Sequence, residues 1–206
     1  MTDLPNILPV FPLNGVLLLP RGQLPLHIFE KRYKAMLDDA LKDSRMIGMI
    51  QPKENGSLFD TGCAGRVTSF EETDDGRYYV VLTGVSRYKI HEEIEPESGY
   101  RRVKPDWQSF ANDLDPTGCL DLDRAKLKAM LGDYFEMHEI DCNLELIDEA
   151  ADDRLITCLS MICPFDAGEK QALLEAGCCK ERSELFMTML DMAIRSGMSP
   201  HQDLQH

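Results

Sequence analysis

Cys178 and Cys179, two adjacent cysteines, are the residues of this 206-residue chain that could most directly do chemistry. They follow Gly177 near a predicted helix start, and a helix N-terminus lowers the pKa of a thiol. Such a pair suits reactive thiols or, with a neighbouring ligand, a metal site. The alternative for a free cysteine is a small buried hydrophobe. We favour that role for Cys158 and Cys163, because both belong to a predicted apolar helix.

The histidines are dispersed along the chain, and no known active-site motif is present. The sequence has no P-loop, no Gly-x-Ser-x-Gly turn and no second histidine at the spacing of a zincin. His27 lies between Leu26 and Ile28 in a predicted strand, where a packed or surface histidine is the usual role. Acidic pairs are abundant, but none singles out an acid and a base. We therefore predict no catalytic residues, no cofactor and no bound metal, and an unrecognised enzyme is our last hypothesis.

The net charge of −14 disfavours two classes of partner. Nucleic-acid binding needs clustered cations, and so does docking on an anionic membrane, so we expect neither. The charge is divided unevenly, with −2 over residues 1–111 and −12 over residues 112–206. This shift in composition predicts two domains with those bounds.

The N-terminal residues lack the basic and apolar regions of a signal peptide. No apolar run approaches the roughly 20 residues that span a bilayer. We therefore expect a cytoplasmic protein whose cysteines are thiols.

The first 111 residues predict short strands and one helix. A strand at 7–13 contains two prolines, which indicates an edge or irregular strand. Further strands are expected at 16–19, 24–29, 46–50, 63–72, 77–82, 85–93 and 100–107. An Asp-Gly pair at 75–76 predicts a hairpin turn, and an apolar stripe over 30–43 predicts a helix.

Helices dominate after residue 112, and one of them is opened by a capping box at Asp166 and Glu169. The predicted fold class is therefore α+β. We expect a β-rich pseudo-barrel subdomain with one helix, followed by an α-helical bundle.

The segments Leu8–Pro20 and Leu24–Tyr33 resemble the N-terminal substrate-binding domain of Lon proteases, in the form found in stand-alone bacterial relatives. The resemblance continues at Arg87 and Tyr88 and in helical segments at 159–166, 169–175 and 181–185. It implies the β-rich and helical fold described above, and a role in binding unfolded or tagged proteins. The resemblance implies that the ATPase and peptidase of full-length Lon lie downstream of such a domain, and we expect this chain to contain neither. We therefore expect no protease activity.

Four residues carry the most specific part of this resemblance, and we expect mainly structural roles for them: Phe29, Glu30, Arg32 and Tyr33. Phe29 ends a strand and Tyr33 lies one helical turn later, so both can face the same core. Glu30 stands at the helix start, where a carboxylate meets the positive end of the helix dipole. Arg32 can pair with an acidic neighbour in the barrel.

Three functions follow as hypotheses. The first is a non-catalytic module that binds unfolded or flexible protein segments through exposed apolar surface. Its candidate groove aromatics, near the junction of the two domains, are Tyr79, Tyr88, Trp107 and Phe110. The second is an adaptor or regulator of a Lon-type protease, and the third is a thiol-based sensor or metal-binding protein. The acidity of the second domain predicts a preference for basic, apolar partner segments.

Overall fold

The computed structural model describes residues 4–97, 99–114, 122–139 and 150–198. Their contacts group them into two compact units. The sheet unit contains the described residues up to 114 together with 157–175, and the helical unit contains 122–139, 150–156 and 176–198. The domain boundary expected at residue 111 stays a prediction.

Six strands form one sheet in the sheet unit: β1 (Leu8–Pro12), β2 (Gln23–Ile28), β3 (Met46–Ile50), β4 (Thr61–Glu72), β5 (Tyr78–Glu97) and β6 (Tyr100–Asp106). Their order is β2-β5-β4-β3-β1-β6, and β5 also pairs with β6, so the sheet curls back on itself. Helix α1 (Lys31–Lys42) lies between β2 and β3 in the chain. The predicted pseudo-barrel with one helix is confirmed.

Strand β1 lies between β3 and β6, so of the two alternatives expected from its prolines, an edge strand or an irregular strand, the edge strand is wrong. Strand β1 pairs in parallel with β3 over residues 10–12 and antiparallel with β6 over residues 8–10. Pro9 therefore lies outside the β3 register and Pro12 outside the β6 register. Each proline deprives the ladder of a donor on one side only, which is how an interior strand accommodates both.

Two predicted strands, 77–82 and 85–93, are one continuous strand, β5, and the predicted strand at 16–19 is an irregular segment. The two differences share a cause at Gly84. A Cβ atom there would collide with the Leu19 carbonyl, so Gly84 marks a close backbone approach within the strand and not a break. Leu17, Leu18 and Leu19 are all buried, without the alternation of a half-buried strand.

The turn between β4 and β5 was predicted correctly. Gly76 adopts a φ of 72° and its amide donates to the Thr73 carbonyl at 2.8 Å. Only glycine adopts this left-handed conformation without a steric penalty.

A buried ion pair fastens the flanking segments to β5. Arg87 is 3% exposed, and its Nε and Nη2 donate to the Asp113 carboxylate at 2.9 and 2.8 Å. Its Nη1 donates to the Leu174 carbonyl at 2.9 Å, and its guanidinium lies 4.2 Å from the ring centre of Phe110. Arg87 thus joins β5 to the 3₁₀ segment Gln108–Leu114 and to helix α4 (Ala167–Glu175).

Helix α4 begins with the predicted capping box. The Glu169 amide donates to Asp166 Oδ1 at 2.8 Å, and the Asp166 amide donates to Glu169 Oε2 at 2.9 Å. Farther along, Gln171 donates to the Thr61 carbonyl, and Gln51 donates to Gln171 Oε1 at 3.2 Å. These buried amides pair with one another, so they hold α4 on the sheet without leaving their donors unsatisfied.

Tyr88 is the largest fully buried side chain of the sheet core. The residues packed with it are Leu8, Val10, Met46, Ile50, Leu58, Ala64 and Val103. Its hydroxyl has no hydrogen-bond partner among the described residues. Burial raises the pKa of the Tyr88 phenol well above its ordinary value of 10.0.

The helical unit contains α2 (Arg124–Met137), the start of α3 (Asp152–Ile162) and α5 (Cys179–Met198). Apolar side chains of α2 and α5 are buried where the two helices contact each other, namely Leu127, Leu131 and Phe135 of α2 and Phe186, Leu190 and Ile194 of α5. Arg124 pairs with Asp152 and donates to the Ala150 carbonyl at 2.6 Å, which ties α2 to the start of α3. None of the described helices is both long and apolar enough to cross a membrane.

We predict that Asp113→Ala lowers the free energy of unfolding of the sheet unit by about 3–5 kcal/mol, because it leaves the Arg87 charge buried without its carboxylate. The chain's single tryptophan, Trp107, lies in this unit and reports its unfolding in urea. The matched control is Glu92→Ala, which removes an exposed ion pair with Lys104 and changes stability far less. Equal losses in the two variants would show that the buried pair has no special role.

We predict a second effect, at alkaline pH, from Tyr88. The unfolded tyrosine loses its proton near pH 10, whereas folded Tyr88 keeps its proton to higher pH. The wild type therefore loses stability above pH 10, by up to about 1.4 kcal/mol per pH unit from this group. Tyr88→Phe removes that contribution and changes stability at pH 7 by less than about 1 kcal/mol, because the lost hydroxyl has no partner. Urea titrations at pH 7 and pH 11 measure the stability of the wild type and of Tyr88→Phe. Equal losses of stability between the two pH values in both proteins would show that Tyr88 does not cause the alkaline loss.

Candidate functional site

Three exposed rings lie together on the outer face of the sheet unit. His27 in β2 is directly opposite Tyr79 in β5, and their rings stack at 4.7 Å between centroids with an angle of 16°. The Phe29 ring lies 5.9 Å from that of His27. Phe29 is 62% exposed and Tyr79 is 54% exposed. We call His27, Phe29 and Tyr79 the ring cluster.

The ring cluster follows from the two-residue period of the strands. In β2, Leu26 and Ile28 are buried, so His27 between them points outward. In β5, Val80 and Leu82 are buried, and Tyr79 points outward in the same way. The strand register then places the two outward rings side by side.

The expectation that Phe29 and Tyr33 share a core is wrong. Tyr33 is buried and packs on Phe11, with ring centroids 4.1 Å apart. Ile28 takes the last inward position of β2, so the next residue, Phe29, points to solvent before α1 begins. Strand alternation through Leu26, Ile28 and Phe29 is the signal that identifies this exposed ring, and our sequence reasoning missed it.

An open groove with a volume of about 410 Å³ runs beside the ring cluster. Most of its lining is apolar: Phe11, Pro12, Leu13, Val16, Leu24, Pro25, Leu26, Phe29 and Tyr33, with His27, Glu30 and Arg32 as its polar members. Four consecutive residues of β2, 24–27, line it, although their side chains alternate between the two faces of the sheet. The groove therefore follows the edge of β2, and we call it the β2 groove.

The charged groups at the end of the β2 groove pair with each other. Arg32 Nη2 lies 2.8 Å from Glu30 Oε2, and the Arg32 guanidinium lies 4.6 Å from the ring centre of Tyr33. Arg32 therefore has an acidic partner, but Glu30 lies at the N-cap position of α1 and not in a barrel strand, and its side chain makes no capping hydrogen bond. Burial raises the pKa of the Tyr33 phenol, and the Arg32 charge partly counteracts this.

The four predicted groove aromatics do not meet on one surface. Tyr79 belongs to the ring cluster, whereas Tyr88 is fully buried in the core. Trp107 is partly buried, packs edge-on against Tyr88 with ring centroids 5.8 Å apart, and donates from Nε1 to the Pro5 carbonyl. Phe110 is buried beneath the Arg87 guanidinium. Binding by these residues stays a prediction, and only the position of Tyr79 offers an exposed ring among them.

The predicted thiols lie at the start of α5. Cys178 is exposed, Cys179 is partly exposed, and the helix begins at Cys179. Cys163 is buried as expected, but Cys158 is exposed, so its assignment to the buried side of its helix was wrong. Within the described ranges, no three His, Cys, Asp or Glu side chains are grouped to hold a metal ion.

Comparison with known proteins gives a consistent family match. A family model described as the ATP-dependent protease La (LON) substrate-binding domain matches residues 7–192. The chain is similar to a Lon protease of Cytophaga hutchinsonii, with 22% identity over 210 residues that cover 94% of this chain and 25% of the relative. It is also similar to a Lon protease of Anaeromyxobacter dehalogenans, with 28% identity over 109 residues that cover 50% of this chain and 13% of the relative. The chain thus spans about an eighth to a quarter of the length of these relatives.

Solved structures share the fold. A Lon N-terminal domain protein from Xanthomonas campestris aligns with a TM-score of 0.67 at 20% identity, covering 88% of this chain and 97% of that one. The N-terminal domain of a Lon protease from the Mycobacterium avium complex aligns with a TM-score of 0.66 at 16% identity, covering 90% and 98%.

We predict that a thiol reagent applied to the native protein modifies Cys158 and Cys178 and leaves Cys63 and Cys163 unmodified until the protein unfolds, since the first two are exposed and the other two are buried. Peptide mapping by mass spectrometry identifies the modified residue in each case. A rate at Cys178 far above that at Cys158 would support the thiol-sensor hypothesis, and equal slow rates would argue against it.

Proposed function

The chain belongs to the Lon substrate-binding domain family, and from this premise we propose that it is a non-catalytic module that binds unfolded or flexible protein segments. We place the binding surface at the ring cluster and the β2 groove. The proposal concerns recognition, and it assigns no catalytic residue and no cofactor.

The ring cluster is the observation that carries this proposal. Large apolar side chains are costly on a surface when they are contiguous, and contiguous apolar patches mark interaction sites. Phe29 and Tyr79 each expose more than half of their surface, and both lie against His27. Aromatic rings are the side chains that most often dominate binding energy at protein interfaces.

The β2 groove supplies the apolar room that a partner's side chains need. Its volume of about 410 Å³ is in the range of small binding sites. The nearest charges, Glu30 and Arg32, neutralise each other, so burial of apolar surface supplies most of the affinity. The net charge of −14 acts at longer range and favours partners with basic flanks.

We also propose a cytoplasmic setting. Cys158 and Cys178 are exposed at the surface as free thiols. Free thiols are typical of a reducing compartment.

We predict that Phe29→Ala and Tyr79→Ala each weaken binding of a fluorescent, reduced and carboxymethylated model protein by tenfold or more, because each removes an exposed aromatic contact. Neither change alters urea stability by more than about 0.5 kcal/mol, since both rings are on the surface. Fluorescence anisotropy measures the affinity.

The matched control is Phe70→Ala. Phe70 is 45% exposed and lies opposite Val80 in the register, so it belongs to the other face of the sheet from Tyr79. This variant should bind as the wild type does. Equal weakening in all three variants, or in none, would contradict the placement of the binding surface.

A further inference from the structure

We propose that the outer edge of β2 captures its partner by strand addition, in which an extended apolar segment pairs its backbone with β2 and places side chains in the β2 groove. This inference rests on the proposed function and adds a mode of recognition to it. The partner is defined by conformation and apolar character more than by a fixed sequence.

The outer edge of β2 is open in the described part of the sheet. The other five strands each pair with two neighbours or more, whereas β2 pairs with β5 alone. An unpaired strand edge presents a row of backbone donors and acceptors, which is a template for one more strand.

The register identifies the backbone groups that face outward. The Gly84 amide donates to the Gly22 carbonyl and the Gly84 carbonyl accepts from the Arg21 amide, both at 2.8 Å, so the strands meet here at a hydrogen-bonded pair with a bulge at residues 21 and 22. In an antiparallel ladder such pairs alternate, so Leu24, Leu26 and Ile28 direct their backbone groups towards β5. Gln23, Pro25 and His27 direct theirs outward.

The position of Pro25 agrees with this assignment. Proline has no N–H, and at an outward position it costs the sheet no internal hydrogen bond. The outward N–H groups of β2 are therefore those of Gln23 and His27, and the three outward carbonyls include that of Pro25. Among the described residues, no turn, loop or cap hydrogen bond occupies the backbone of Gln23 or His27.

The groove and the ring cluster lie where an added strand would project its side chains. Strand residues 24–27 all line the β2 groove, so the groove is adjacent to the open edge. An added strand alternates its side chains between two faces. One set meets the apolar lining that includes Phe11 and Val16, and the other set meets the exposed rings of His27 and Phe29.

Pro25 also argues that the partner is not a second copy of β2. Two copies related by a two-fold axis at the centre of the outward residues would place Pro25 opposite Pro25. That pairing lacks both donors at its centre, and proline on an edge strand is a common device against self-association. A strand from another protein can donate an N–H to the Pro25 carbonyl, so only one of the two hydrogen bonds at that position is missing.

The test uses a nine-residue peptide of alternating valine and threonine with one central tyrosine and a lysine at each end. The control peptide carries proline at every second position and cannot form a strand ladder. We expect the first peptide to bind and the control to bind at least tenfold more weakly. With the first peptide bound, the amides of Gln23 and His27 should exchange with deuterium at least tenfold more slowly, measured by NMR on ¹⁵N-labelled protein.

A pair of variants isolates the backbone contribution. His27→Ala removes the ring and keeps the N–H, whereas His27→Pro removes both, at an outward position where the fold does not use the N–H. We expect His27→Pro to bind the peptide at least fivefold more weakly than His27→Ala. Trp107 fluorescence in urea verifies that both variants are folded, and Gln23→Pro repeats the comparison with Gln23→Ala if one of them is not.

Each other outcome overturns strand addition. A peptide that binds without slowing exchange at Gln23 and His27 shows surface contact alone, and the proposed function survives. A peptide that does not bind at all refutes the inference, while the titration with unfolded protein decides the proposed function separately. If the Gln23 and His27 amides already exchange slowly with deuterium without peptide, and the protein elutes as a dimer in size-exclusion chromatography, a second copy of the chain occupies the edge.

Discussion

The register of β5 is the constraint on which the rest of the sheet unit depends. This strand pairs with β2, β4 and β6, so an error in its register would disturb all three neighbours. A slip by one residue would turn Tyr79 inward and Val80 outward, because alternate residues face opposite sides. The same strand carries Arg87, whose buried pair with Asp113 holds the 3₁₀ segment in place. The site and its support therefore depend on one strand.

Local signals predicted the parts of the fold that depend on local chemistry. The capping box at Asp166 and Glu169 and the turn at Gly76 are present as expected, because each is decided by a few neighbouring residues. The edge assignment of β1 failed because pairing partners lie far away in sequence. The prediction of a break at Gly84 was wrong for the same reason. Glycine is needed there because the Leu19 backbone, which is distant in sequence, approaches closely while the strand continues.

The candidate site was only partly predictable. Tyr79, Tyr88 and Phe110 were all candidates because each has an aromatic ring. Composition cannot distinguish the exposed ring of Tyr79 from the buried rings of the other two. Strict alternation along β2 would have placed Phe29 outside. The open edge of β2 could not be predicted from the sequence, because it depends on the order of the strands in the sheet. What the sequence did indicate was the family, through the segment that contains β2 and the start of α1.

Our main proposal is that unfolded protein binds at the ring cluster and the β2 groove. The most direct test is an NMR titration of the ¹⁵N-labelled chain with a reduced and carboxymethylated model protein, followed through amide chemical shifts. We expect the largest changes at residues 23–29 and at Tyr79, with small changes in the helical unit. Changes confined to the helical unit, or no changes at saturating concentration, would contradict it.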